Sequence, residues 1–196
     1  MPLKTEITDA NEFAVFGPFK LKYLPGTTNL CQIRSTESVL DQIKRDYPHD
    51  NLESKGGCYI FAVCKGGKGA KGGSYKPLYV GQSVGRVRRH PLIKESLSDR
   101  NFIDIYNKHA PKHGTLVLFW IAKAAPGMVK SLDKREIANM EAELIRWATH
   151  VNPSIENARL LPALSFKIRG LPLTAQCHHK AKRGPARIVA KMLGVI

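Results

Sequence analysis

Gly56-Gly57-Cys58-Tyr59-Ile60-Phe61-Ala62-Val63-Cys64 is the stretch whose reading decides the fold. Both alternate sets of side chains in it, Cys58/Ile60/Ala62/Cys64 and Tyr59/Phe61/Val63, are apolar. A strand with one solvated face would alternate apolar with polar, so this pattern predicts a central strand covered on both sides. Leu78-Tyr79-Val80, closed by Gly81, predicts a second short strand. Pro77 at its start is tolerated because a strand's first residue need not donate a ladder hydrogen bond. Between the two, Lys65 to Lys76 is rich in lysine and glycine, and it reads as the basic tip of a long hairpin. Thr115 to Ala122, with Val117, Leu118, Phe119, Trp120 and Ile121, is the third strand.

Outward from this sheet the pattern turns helical. Ser35 to Tyr47 places Val39, Leu40, Ile43 and Tyr47 on one stripe and stops at Pro48. Val84 to His90 reads as one or two helical turns, and Leu92 to Lys108 as mostly helical. A long helix is expected from Leu132 to His150, with Ser131 as its N-cap. Near the N-terminus Phe13, Val15, Phe16 and Phe19 form a short apolar segment that Gly17-Pro18 and Pro25-Gly26 break into turns. The expected class is α+β: a small three-stranded antiparallel sheet flanked by helices over residues 56–158. An N-terminal extension at 1–55 precedes it and a basic C-terminal extension at 159–196 follows.

The chain has 196 residues, enough for one good core. Its apolar fraction of 43% argues against general disorder. Lys and Arg number 31 against 16 Asp and Glu, a formal charge of +15. That excess favours a polyanionic partner, above all nucleic acid. The basic tip (Lys65, Lys68, Lys71), the pair Arg88-Arg89 and the C-terminal Lys180, Lys182 and Arg183 are the expected phosphate contacts. The apolar run Leu116–Ala122 falls far short of the roughly 20 residues a membrane span needs, and no secretory signal is visible at the start, so no membrane partner and a cytoplasmic location are expected. Cys31, Cys58, Cys64 and Cys177 show no zinc-ligand spacing and read as reduced thiols.

Three segments carry reactive side chains. Tyr59 and Tyr79 stand on strands that should pair. Arg86 and His90 are four apart, on one face if that turn is helical; the plainer reading is a basic face that holds a phosphate backbone. On the long helix, Glu141 has Ile137, Leu144, Ile145 and Ala148 around it and should face inward. Glu143, between Asn139 and Arg146, should lie on a solvated face. An inward carboxylate needs a cation, either in a structural ion pair or as a bound metal. Cys177-His178-His179 offers no fourth ligand for a metal.

Together these segments resemble the GIY-YIG nuclease superfamily. Gly57-Cys58-Tyr59 matches its first motif with Cys for Ile, and Tyr79-Val80-Gly81 its second with Val for Ile. Arg86 and His90 match the R-x-x-x-H that follows, and Glu141-Ala142-Glu143-Leu144-Ile145 the helix glutamate before a Leu-Ile pair. Asn157, after Pro153 but one residue later than the family's spacing, is taken for the late asparagine; Asn152 directly precedes the Pro. The resemblance spans about half the chain, and the lysine-glycine insertion makes the connection between the two tyrosines longer than is usual there.

The resemblance implies hydrolysis of DNA phosphodiester bonds with one divalent ion, Mg²⁺ or Mn²⁺, on Glu141. It further implies Tyr59 as the group that helps deprotonate the attacking water, assisted by His90, with Tyr79 positioning, Arg86 stabilising the phosphate and Asn157 orienting the site. Double-stranded DNA is the expected partner, and a restriction-type member would act as a homodimer on palindromic sites. The competing readings are a less specific toxin or repair DNase, and a basic nucleic-acid-binding module without catalysis.

Overall fold

A computed structural model describes residues 12–21, 28–49, 52, 55–65, 74–84, 97, 114–123, 131–155, 167–168 and 184–195. Within them the chain runs β1 (Glu12–Lys20), α1 (Thr28–Asp46), β2 (Gly57–Lys65), β3 (Ser74–Ser83), β4 (Thr115–Lys123), α2 (Ser131–Val151), β5 (Lys167–Ile168) and α3 (Pro185–Met192). The class is α+β, as expected, with one sheet in the order β3-β2-β4-β1-β5.

β2 is central, as its doubly apolar pattern requires: it pairs antiparallel with β3 on one side and β4 on the other, and residues 57–63 are all buried. The sheet is larger than the three strands expected. β1 joins β4 antiparallel as a fourth strand, and the two residues of β5 run parallel to β1. Gly17-Pro18 does not end β1. The four residues from Phe16 to Phe19 face the three from Trp120 to Leu118, so one extra residue is absorbed as a bulge. Gly17 is needed there: its φ is +105°, and a Cβ would stand 2.8 Å from the Leu118 carbonyl oxygen.

β3 begins at Ser74, earlier than Leu78, so the hairpin ladder closes at Lys65 opposite Ser74. A second bulge sets Phe61 opposite Tyr79 and Ala62 opposite Pro77, leaving Leu78 extra. Leu78 and Tyr79 therefore lie on the same side of the sheet although they are adjacent in sequence.

The sheet separates two cores. On one side α2 lays Ile137, Met140, Leu144, Ile145 and Ala148 against Cys58, Ile60, Ala62, Val80, Val117, Phe119 and Ile121, and α3 adds Val189, Ala190 and Met192. On the other, α1 lays Val39 and Ile43 against a layer containing Phe16, Phe19, Tyr59, Phe61 and Trp120. α1 starts at Thr28, earlier than expected. Its Gln42 side chain accepts from the Lys20 N–H and donates to the Lys20 carbonyl, both at 2.9 Å, so it satisfies the backbone of β1 where the sheet ends. Tyr47 packs edge-on against Phe16 and Phe19, with ring centroids 5.2 and 5.9 Å away. β1 and α3, from the stretches read as extensions, thus contribute to the same sheet and core as residues 56–158. No described helix is long and apolar enough to cross a membrane.

Candidate active site

Tyr59 is the third residue of β2, between Gly81 on β3 and Trp120 on β4 in the cross-strand register. These two neighbours decide where its ring goes. On the β4 side the Trp120 indole is parallel to the phenol, with an interplanar angle of 3° and centroids 6.1 Å apart. On the β3 side Gly81 has no side chain, and a Cβ built there would stand 2.4 Å from Tyr59 Cζ and 2.5 Å from its Oη. The phenol therefore fills the space that the missing Cβ leaves. Tyr79, diagonal to Tyr59 across the β2–β3 pair, stacks at 6.0 Å and 29°. Phe61 closes the group, 5.3 Å from Tyr59 and 6.4 Å from Tyr79. Tyr59 is 3% exposed and Tyr79 half-buried on the outermost strand.

Glu141 approaches from the other side. It lies half-buried on α2, whose apolar stripe packs on the opposite face of the sheet. Burial and then the Glu141 charge push the Cys58 thiol well above its ordinary value. The Cys58 thiol donates to the Ile137 carbonyl at 3.3 Å. The phenols thus lie on the α1 face of the sheet, and Glu141 on a helix that packs against the opposite face. Glu143, expected in solvent, is instead 5% exposed and paired with Arg146. Helical spacing reports only neighbours on the same helix, and burial by other elements overrides it.

Asn152 is a buried tie from the end of α2 to β3: its Nδ2 donates to the Pro77 carbonyl at 2.6 Å, and its Oδ1 accepts from the Ser154 N–H. Arg86, His90 and Asn157 lie outside the described residues, as do Lys68, Lys71, Arg88, Arg89, Lys180, Lys182 and Arg183. Lys65 is exposed where β2 enters the hairpin tip. Near that tip, burial followed by the neighbouring Cys64 pushes the Tyr75 phenol up to about 12.

Tyr59 and Tyr79 are therefore the two expected residues that stand in contact. Trp120 and the space over Gly81 were not legible as parts of a site, because they depend on the β2–β4 register and on the direction of one ring. Among the described residues no three His, Cys, Asp or Glu side chains cluster as a ready metal cage. Glu141 is a hard oxygen donor, and its chemistry fits Mg²⁺ or Mn²⁺, ions that accept one or two carboxylates and complete their shell with water and phosphate oxygens. Cys58 and Cys64, the free thiols described, are soft ligands that such ions do not seek. Comparison with protein families, curated proteins and solved structures returns no match.

Proposed function

We propose that this chain is a metal-dependent endonuclease of GIY-YIG type that hydrolyses phosphodiester bonds of double-stranded DNA in the cytoplasm. One observation carries the reading. Gly57-Cys58-Tyr59 and Tyr79-Val80-Gly81 lie on paired antiparallel strands, and the Tyr59 phenol rests in the space that Gly81 leaves open. That packing gives both glycine and tyrosine of the second motif a physical purpose: the glycine admits one phenol and the tyrosine stacks on it.

Within this reading Tyr59 acts as its phenolate, with its proton already given up to solvent because the cationic Arg86, the bound divalent ion and a hydrogen bond from His90 would stabilise the anion; the phenolate then accepts the proton of the attacking water, directly or through a second water. Tyr79 positions water or phosphate. Arg86 suits the phosphate because its planar fork donates two parallel hydrogen bonds and stays charged. Asn157 orients the site. A divalent ion on Glu141 would supply positive charge against that which builds on the phosphate. The surplus of Lys and Arg suits the DNA backbone.

The test is plasmid DNA with the purified full chain and Mg²⁺, with and without chelator. Mg²⁺-dependent nicking or cutting that the chelator abolishes is expected. Tight DNA binding with no cut in either Mg²⁺ or Mn²⁺ would replace the reading with a binding module. Discrete fragments would indicate a restriction-type enzyme, and a smear a less specific DNase.

A further inference from the structure

We propose that Trp120 is a positioning residue that sets the direction of the Tyr59 phenol; its consequence for rate rests on the endonuclease reading above, whereas the geometry stands apart from it. A tyrosine on a central strand can lean toward either neighbouring strand. Here the β4 side is filled by the Trp120 indole, lying parallel to the phenol within 3°. The β3 side is open, because Gly81 carries no side chain. Bulk on one flank and vacancy on the other leave the ring one direction, toward β3 and Tyr79. Both partners lie opposite Tyr59 in register, so the device is a single row of three residues across three strands.

The indole nitrogen supports this assignment. Trp120 is fully buried, and its Nε1–H meets no acceptor among the described residues. A buried donor without an acceptor is costly. A leucine would fill a core without that cost, so what the indole contributes is its broad flat face. That face is spent on Tyr59.

The mechanism follows from the geometry. Proton transfer requires the phenol oxygen at hydrogen-bond distance from the water it serves, and small misplacements of reacting groups are expensive. Trp120 touches no reacting atom in this scheme and acts through Tyr59.

Two measurements on the full chain test the proposal. In the first, NMR of protein carrying ¹³C-labelled tyrosine follows the Tyr59 ring, assigned by its loss in Tyr59→Phe. In wild type and in Trp120→Phe, which keeps a flat ring, the two edges of the Tyr59 ring should give separate signals because flipping is slow. In Trp120→Leu they should merge. An averaged Tyr59 ring in wild type overturns the proposal even if the leucine variant does not fold, and so does a Tyr59 spectrum unchanged in a folded Trp120→Leu. In the second, plasmid cleavage by Trp120→Leu should show kcat lower by about a hundredfold with KM for DNA unchanged. Trp120→Phe should restore most of the rate. A leucine variant with wild-type kcat, or one that loses only KM, contradicts the positioning role. A wild-type chain with a slow-flipping Tyr59 that never cuts DNA keeps the positioning and removes the endonuclease reading alone.

Discussion

The two faces of the sheet are built from the same strands and have different characters. The face under α2 and α3 is mostly aliphatic: Ile60, Val80, Val117 and Ile121 meet Ile137, Met140, Leu144 and Ile145. The face under α1 gathers more of the aromatic rings: Phe16, Phe19, Tyr59, Phe61 and Trp120, with Tyr47 and Tyr79 against them, set among Leu78, Leu116 and Leu118. Period-two alternation on β2 sorts the residues, sending Cys58, Ile60 and Ala62 one way and Tyr59, Phe61 and Val63 the other. Aliphatic side chains interlock without preferred ring geometry, and that face serves as ballast. Aromatic rings constrain one another's orientation, so the second face can hold a phenol in one attitude. The two faces should therefore respond differently to change.

The largest expected effect lies on the aliphatic side. Leu144→Ala empties a fully buried position and should lower stability by about 2–5 kcal/mol in chemical denaturation. Its cleavage rate, measured where the variant is still folded, should stay near wild type. A folded Leu144→Ala that loses cleavage would blur the division between the faces. Gly81→Ala comes next. The new methyl would meet Tyr59 at 2.4 Å, so the phenol or β3 must shift, at about 1–3 kcal/mol. Unlike the leucine change it should also depress cleavage, because the ring it displaces is Tyr59. A gain in stability with full activity would show that the space over Gly81 is not what seats the phenol.

The smallest effect concerns alkaline pH. Tyr75 packs on the aliphatic face beside Phe119, and its folded value near 12 exceeds the ordinary value of 10. The unfolded chain therefore releases this proton first as pH rises. Any stability tied to the protonated phenol is complete below about pH 10 and is lost as pH climbs toward about 12. Tyr75→Phe should flatten that decline in pH-dependent unfolding curves and remove a phenolate transition near pH 12 from the ultraviolet titration. A titration identical to wild type would contradict the assignment.

What was legible in the sequence follows from range. β2 was read correctly because its two apolar sets demand cover on both faces, a property local to seven residues. α2 was read to within a residue at each end because its stripe is strongly periodic. β1 was not legible as a strand. Gly17-Pro18 punctuates a turn locally, but pairing with β4 tolerates it through a bulge whose glycine lies against Leu118. The misreading of Glu143 has the same root, since burial by other elements leaves no trace in spacings along one helix. Of the candidate site, pairing of the two motif strands was legible from the hairpin. The Tyr59–Trp120 stack was not, because a long connection separates the β2–β3 hairpin from β4 and leaves the β2–β4 register open.

The most direct measurement is the plasmid cleavage rate of Tyr59→Phe in Mg²⁺. This change removes one oxygen from a ring whose stacking on Trp120 and Tyr79 it leaves in place. A rate lower by about a hundredfold or more, with circular dichroism and melting unchanged, is the result predicted for a phenol that takes part in proton transfer. Cleavage at the wild-type rate would contradict it and leave Tyr59 as one more buried aromatic in the layer beneath α1.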